Sequence, residues 1–141
     1  MPKTSLVLFN ASVILAGIKS PLGGSAKILS WCKTGKIVGL ASEIIVDEAM
    51  RNGQRIGVEP KDINKRMQNL NIKICPAPKT SSVDSFKKIV IDLGDAHVLA
   101  SAQEEKAIFL VTLDKKHILS LQKTISKFKI VSPGELIEIL A

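Results

Sequence analysis

Short apolar runs alternate along the chain with polar segments of helical character. Residues 5–10 (SLVLFN), 36–42 (KIVGLAS), 72–76 (IKICP), 107–114 (AIFLVTLD) and 128–132 (FKIVS) each read as a strand, and 87–95 (KKIVIDLGD) as a further extended piece. The apolar run LVLFNASVIL (6–15) breaks at Asn10, Ala11 and Ser12, where a strand would hand over to a loop. After the turn SPLGG (20–24), Ser25 is placed to cap a helix reaching about Lys33, with Ile28, Leu29 and Cys32 on one stripe and Gly35 as its stop. Ser42 caps the next helix, in which Ile44, Ile45, Glu48 and Ala49 are neighbours, and Gly53 ends it. Pro60 opens a helix to about Leu70, and residues 79–85 read as loop. Further helices are expected over 96–105, 116–122 and 133–140. Strands that are apolar throughout, alternating with helices, predict an α/β fold: a parallel sheet covered on both faces, in three α/β/α layers.

Composition adds bounds. The chain has 141 residues, 45% of them apolar, and reads as one domain over 1–141, long enough to bury a continuous core. No run reaches the roughly 18–20 apolar residues of a membrane span, and the N-terminal run lacks a cleavage site, so a cytoplasmic protein is expected. Cys32 and Cys75 stand in no ligand spacing and are expected to be buried free thiols. His97 and His117 likewise offer no zinc-binding spacing.

The net charge is +7, and residues 51–79 hold Arg51, Arg55, Lys61, Lys65, Arg66, Lys73 and Lys79 against only Glu59 and Asp62. Such a field suits a polyanion, although a solvated surface has the same composition. Four Phe, one Trp and no Tyr give poor support to a base-stacking platform.

Ligands of open parallel sheets bind beyond the carboxyl ends of the strands, near the point where strand order reverses. Those ends deliver Asn10 and Ser12 after the first strand, and Thr112 and Asp114 after the strand at 107–112. Asp95 opens the helix at 96, with Asp92 three residues earlier. Glu48 lies two turns into its helix beside an apolar stripe, an expensive place for an unpaired carboxylate. Taken singly, Asp95 and Asp114 are explained as helix caps and Glu48 as the partner of a lysine. Together, Glu48, Asp95 and Asp114 would converge on one cleft, and clustered carboxylates need a positive charge between them. A Mg2+ or Mn2+ ion is the natural occupant, because hard cations prefer oxygen ligands. Such an ion activates water and offsets charge on a phosphodiester, so a basic surface beside an acidic pocket outlines a nuclease.

The segments LVLFNASVILAG, AKILSWCKTGKI, SEIIVDEAMR, DAHVLASAQEEKAIFLVTLDKKHIL and FKIVSPGELIEIL together resemble the PIN domain, a metal-dependent ribonuclease fold that includes VapC-type toxins. DAHVLASA followed by FLVTLDKKHIL looks like the family's third and fourth acidic motifs, and SEIIVDE like the second. The resemblance implies an α/β/α sandwich and a Mg2+- or Mn2+-dependent endoribonuclease. It makes Asp95 a direct metal ligand, gives Asp114 and Glu48 direct or water-mediated contacts, and makes Thr112 an orienting hydroxyl. Asp92 matches an acidic position common before the third motif. The departure is at the first motif, where the register of the family's acid holds Asn10; Ser12 keeps the small hydroxyl. An amide oxygen still coordinates a hard cation but carries no charge, so Asn10 implies a weaker site and a slower enzyme.

Two readings follow. The first is a PIN-type ribonuclease acting on RNA, as a toxin held by a small antitoxin-like protein and able to pair as a homodimer. The second is a PIN-fold module that binds RNA or a protein partner without cutting. A nucleotide-binding flavodoxin-like protein is disfavoured, because no phosphate-binding glycine loop is present.

Overall fold

The computed structural model describes residues 4–141. Five strands, β1 (Ser5–Phe9), β2 (Ile37–Ser42), β3 (Lys73–Cys75), β4 (Phe109–Val111) and β5 (Lys129–Val131), form one all-parallel sheet in the order β3-β2-β1-β4-β5. The chain builds outward from β1 to β2 and β3, then crosses back to lay β4 on the other side of β1. Order therefore reverses between β1 and β4, at the centre of the sheet.

Among the described residues, seven α-helices connect and cover the strands: α1 (Ala11–Lys19), α2 (Gly24–Thr34), α3 (Glu43–Arg55), α4 (Pro60–Asn69), α5 (Thr80–Phe86), α6 (Ala96–Glu104) and α7 (Pro133–Leu140). The crossovers β1 to β2 and β2 to β3 run in one direction, so right-handed connection puts α1 to α4 on one face. The crossover from β3 to β4 runs the other way and carries α5 and α6 to the opposite face. The core lies on both sides of the sheet, where Leu8, Phe9, Leu110 and Val111 are fully buried with Ile28, Ile45 and Leu99.

Several local readings are corrected. Residues 11–19 form a helix and not a loop, because Asn10 caps it, its side-chain oxygen accepting the Ala11 N–H at 2.8 Å. Gly23, not Ser25, is the N-cap of α2, and Ser25 is buried inside that helix. Gly53 lies within α3, which runs on to Arg55. Residues 80–86 are helical, while 87–95 contain no strand, only turns and a 3-10 turn at Leu93–Asp95. Over 116–122 the chain makes turns and a 3-10 turn at Leu119–Leu121 in place of an α-helix. Ser42 does cap α3, accepting from the Ile45 N–H at 3.1 Å. Cys32 and Cys75 are free and buried.

Two details set tolerance to change. A Cβ on Gly39 of β2 would meet Phe9 Cε2 at 2.8 Å and Cys32 Sγ at 2.5 Å, both in the core. Gly39→Ala is therefore expected to cost about 1–3 kcal/mol, read as a lower urea midpoint at unchanged slope. At the β5 edge, Gln122 Nε2 donates to the Ile130 carbonyl at 2.8 Å and to Glu135 Oε1 at 3.1 Å. Glu135 in turn completes a capping box with Ser132 at the start of α7.

Candidate metal centre

The parallel register pairs Phe9 with Val111, so the residues just beyond, Asn10 and Thr112, leave the sheet side by side at the reversal point. Asn10 Nδ2 donates to Thr112 Oγ1 at 2.9 Å, and both side chains are buried. The orientation of the amide follows from its partners. The Ala11 N–H needs an acceptor, so Oδ1 faces the backbone of α1 and the NH2 group faces Thr112. Thr112 Oγ1 also accepts the Asp114 N–H at 3.1 Å, and Ser12 Oγ accepts the Leu113 N–H at 3.3 Å. Strand β1 thus pins the backbone that carries Asp114.

Asp114 Oδ1 accepts the His117 N–H at 2.9 Å, and Oδ2 lies 3.2 Å from His117 Nδ1. Asp95 stands at the N-cap position of α6 but makes no capping hydrogen bond, and its Oδ2 is buried with no partner. Its neighbour Asp92 does act as a local cap, accepting the Gly94 N–H at 2.9 Å. One ligand atom each from Asp95, Asp114 and His117 lies within 4.8 Å of the other two.

Charge in the acidic cluster is unbalanced. Burial, followed by the charges of Asp114, Asp92 and Glu48, pushes the Asp95 carboxyl up to about 6, with only His117 acting the other way. Burial likewise raises Glu48, aided by Asp92 and opposed by Arg51. The Arg51 ion pair is made with Asp47, at 3.1 Å on the exposed face of α3. Glu48 is therefore close enough to feel Asp92 and Asp95, but it lies outside the group of three ligand atoms. A buried carboxylate oxygen without a donor, inside a carboxylate cluster, suits a hard divalent cation. The donor set fits the ion.

His117 is the residue that sequence spacing missed. It follows Asp114 by three positions, and a single turn is enough to bring the two side chains together. Of the basic residues, Arg51 acts on Glu48, whereas Lys65 and Arg66 line a separate groove of about 400 Å³ with Ile18, Val58 and Asp62. Arg55 and Lys61 are exposed on α3 and α4. The basic stretch is thus a surface beside α4, not part of the acidic group.

The raised Asp95 carboxyl has a thermodynamic consequence. Its folded pKa of about 6 lies above the ordinary 3.8, so its stabilising contribution is full below 3.8 and is lost as pH rises through 6. In metal-free buffer, Asp95→Asn is expected to gain stability relative to the native chain between pH 4 and pH 7.5. Melting temperatures of both proteins across that range check this, and parallel curves would count against it.

A family model described as PIN domain matches residues 6–116. The chain belongs to the PIN domain family. Among solved structures, a toxin-antitoxin complex from Klebsiella pneumoniae is similar with a TM-score of 0.62 at 18% identity, over 88% of this chain and 99% of that one. A search of curated proteins finds no match. Among the described residues, no helix is long and apolar enough to cross a membrane.

Proposed function

We propose that the chain is a divalent-metal-dependent endoribonuclease of PIN type, slowed by Asn10. The observation that carries this reading is the meeting of Asp95, Asp114 and His117 at the carboxyl ends of the central strands, with Asp95 Oδ2 left without a donor. Asp95 and Asp114 would hold a Mg2+ or Mn2+ ion, and Glu48 would contribute from α3 through its charge or through water. The ion, when bound, supplies an activated water and offsets charge on the phosphodiester.

The chain's own groups do the rest. Thr112 and Ser12 hold the backbone at 112–114, which positions Asp114 beside Asp95 and His117. Asp92 fixes the turn that delivers Asp95. Arg51, Arg55, Lys61, Lys65 and Arg66 supply positive charge for the RNA backbone along α3 and α4. In the toxin version of this reading, the partner is a small antitoxin-like protein. The Klebsiella pneumoniae toxin-antitoxin complex, similar in fold, is in keeping with it.

The second reading, a module that binds RNA or a protein without cutting, draws support from Asn10. Both ends of its amide are already hydrogen-bonded within the protein. Incubating the pure protein with single-stranded RNA and Mn2+ decides between the two. Cleavage that stops on chelation supports the nuclease, and intact RNA with retained binding supports the module.

A further inference from the structure

We propose that His117 is itself a ligand of the divalent ion, and that its nitrogen makes the centre prefer borderline transition-metal ions to Mg2+. This rests on the reading above that an ion sits between Asp95 and Asp114, and it goes further by assigning the third donor and the metal selectivity.

Three observations support it. First, the imidazole belongs to the one His, Cys, Asp and Glu group, among the described residues, whose ligand atoms lie within 4.8 Å of one another. Second, His117 Nδ1 and Asp114 Oδ2 are 3.2 Å apart. Ligand atoms each about 2.1 Å from one metal ion, at tetrahedral or octahedral angles, are separated by about 3.0–3.4 Å. The pair already has the spacing of neighbouring ligands. Third, the turn that carries the ring is fixed by backbone bonds, the His117 N–H donating to Asp114 Oδ1 and the Leu119 N–H to the Asp114 carbonyl, so the imidazole is presented beside the Asp114 carboxylate.

The chemistry follows from the donor types. A neutral imidazole always has one nitrogen with a free lone pair, and with the proton on Nε2 that nitrogen is Nδ1. Oxygen-only sites suit Mg2+ and Mn2+, whereas imidazole suits Zn2+, Cu2+, Fe2+ and Ni2+. The position at the end of β1 that would complete an all-oxygen, all-anionic set holds Asn10, whose oxygen already caps α1. His117 supplies a third donor beside Asp95 and Asp114, as nitrogen.

Pulsed electron paramagnetic resonance on tag-free protein loaded with Mn2+ alone tests the assignment without reference to cleavage. Modulation from one directly bound 14N is expected, absent in His117→Ala and His117→Asn while Mn2+ remains bound. Titration calorimetry should show His117→Ala losing about tenfold or more in Ni2+ affinity, with Mg2+ affinity changed less than about threefold. Bound Mn2+ without nitrogen coupling, or equal losses for both metals, overturns the role of His117 and leaves the Asp95–Asp114 centre standing. No Mn2+ binding at all overturns both. Nitrogen coupling in a protein that does not cleave RNA upholds the ligand and overturns the nuclease.

Discussion

Replacing Asp95 by Asn is expected to lower Mn2+-dependent RNA cleavage by about 100-fold or more, while leaving the fold intact. Asp95 Oδ2 is buried without a donor and the Asp95 side chain caps nothing, so no hydrogen bond that holds the protein together is lost. On the proposed reading, what is lost is the negative ligand that Asp95 would supply beside Asp114. Changes in residues that only support ligands already cost about 10–100-fold in metal affinity or activity, and a ligand itself costs more. The Asn variant should also be the more stable protein in metal-free buffer near pH 7.5, since the penalty of ionising Asp95 is gone. A drop in cleavage accompanied by unchanged or higher melting temperature therefore separates a lost ligand from a damaged fold. Cleavage that persists at the native rate would mean a contaminant or a wrong site.

Asn10→Asp should act in the opposite direction, raising cleavage by more than about tenfold. The substitution keeps the local hydrogen bonds: one carboxylate oxygen still accepts the Ala11 N–H, and the Thr112 hydroxyl turns its proton toward the other. It adds a negative charge at the end of β1, beside Thr112 and the backbone that carries Asp114. Two unit charges 4 Å apart at an effective dielectric constant of 20 interact by about 4 kcal/mol, and a divalent ion by more. A third of that, realised in the transition state, already reaches the roughly 1.4 kcal/mol of a tenfold rate change. Single-turnover cleavage in Mn2+, compared between the two proteins, measures the gain. No gain would locate the deficiency elsewhere in the pocket and favour a module that binds without cutting.

The legibility of the chain follows its physics. The central strands β1, β2 and β4 were readable because they are largely buried and apolar without interruption, whereas the edge strands β3 and β5 are short and begin on exposed lysines; α3 was readable because Ser42 caps it. Helix α1 was hidden: Val13, Ile14 and Gly17 form its buried stripe, but they continue directly from the apolar β1, and no period can be seen across the join. The segment 87–95 failed for the opposite reason. Its alternating Ile89 and Ile91 imitate a strand, yet both are exposed and the backbone turns. At the site, Asp95 and Asp114 were legible from strand-end position and motif resemblance. His117 was not, because three residues after an aspartate is an ordinary spacing until a turn folds it back.

The Gln122 side chain has a bearing on assembly. In a parallel pair successive residues point their backbone groups alternately to either neighbour; Lys129 and Val131 face β4, so Ile130 faces outward. Its carbonyl is the natural first rung for a sixth strand, and Gln122 already occupies it, anchored to Glu135. The sheet is terminated from within its own chain. A second copy therefore finds the Ile130 carbonyl already bonded, which disfavours extending the sheet across β5; the other edge, β3, carries no such guard from Gln122.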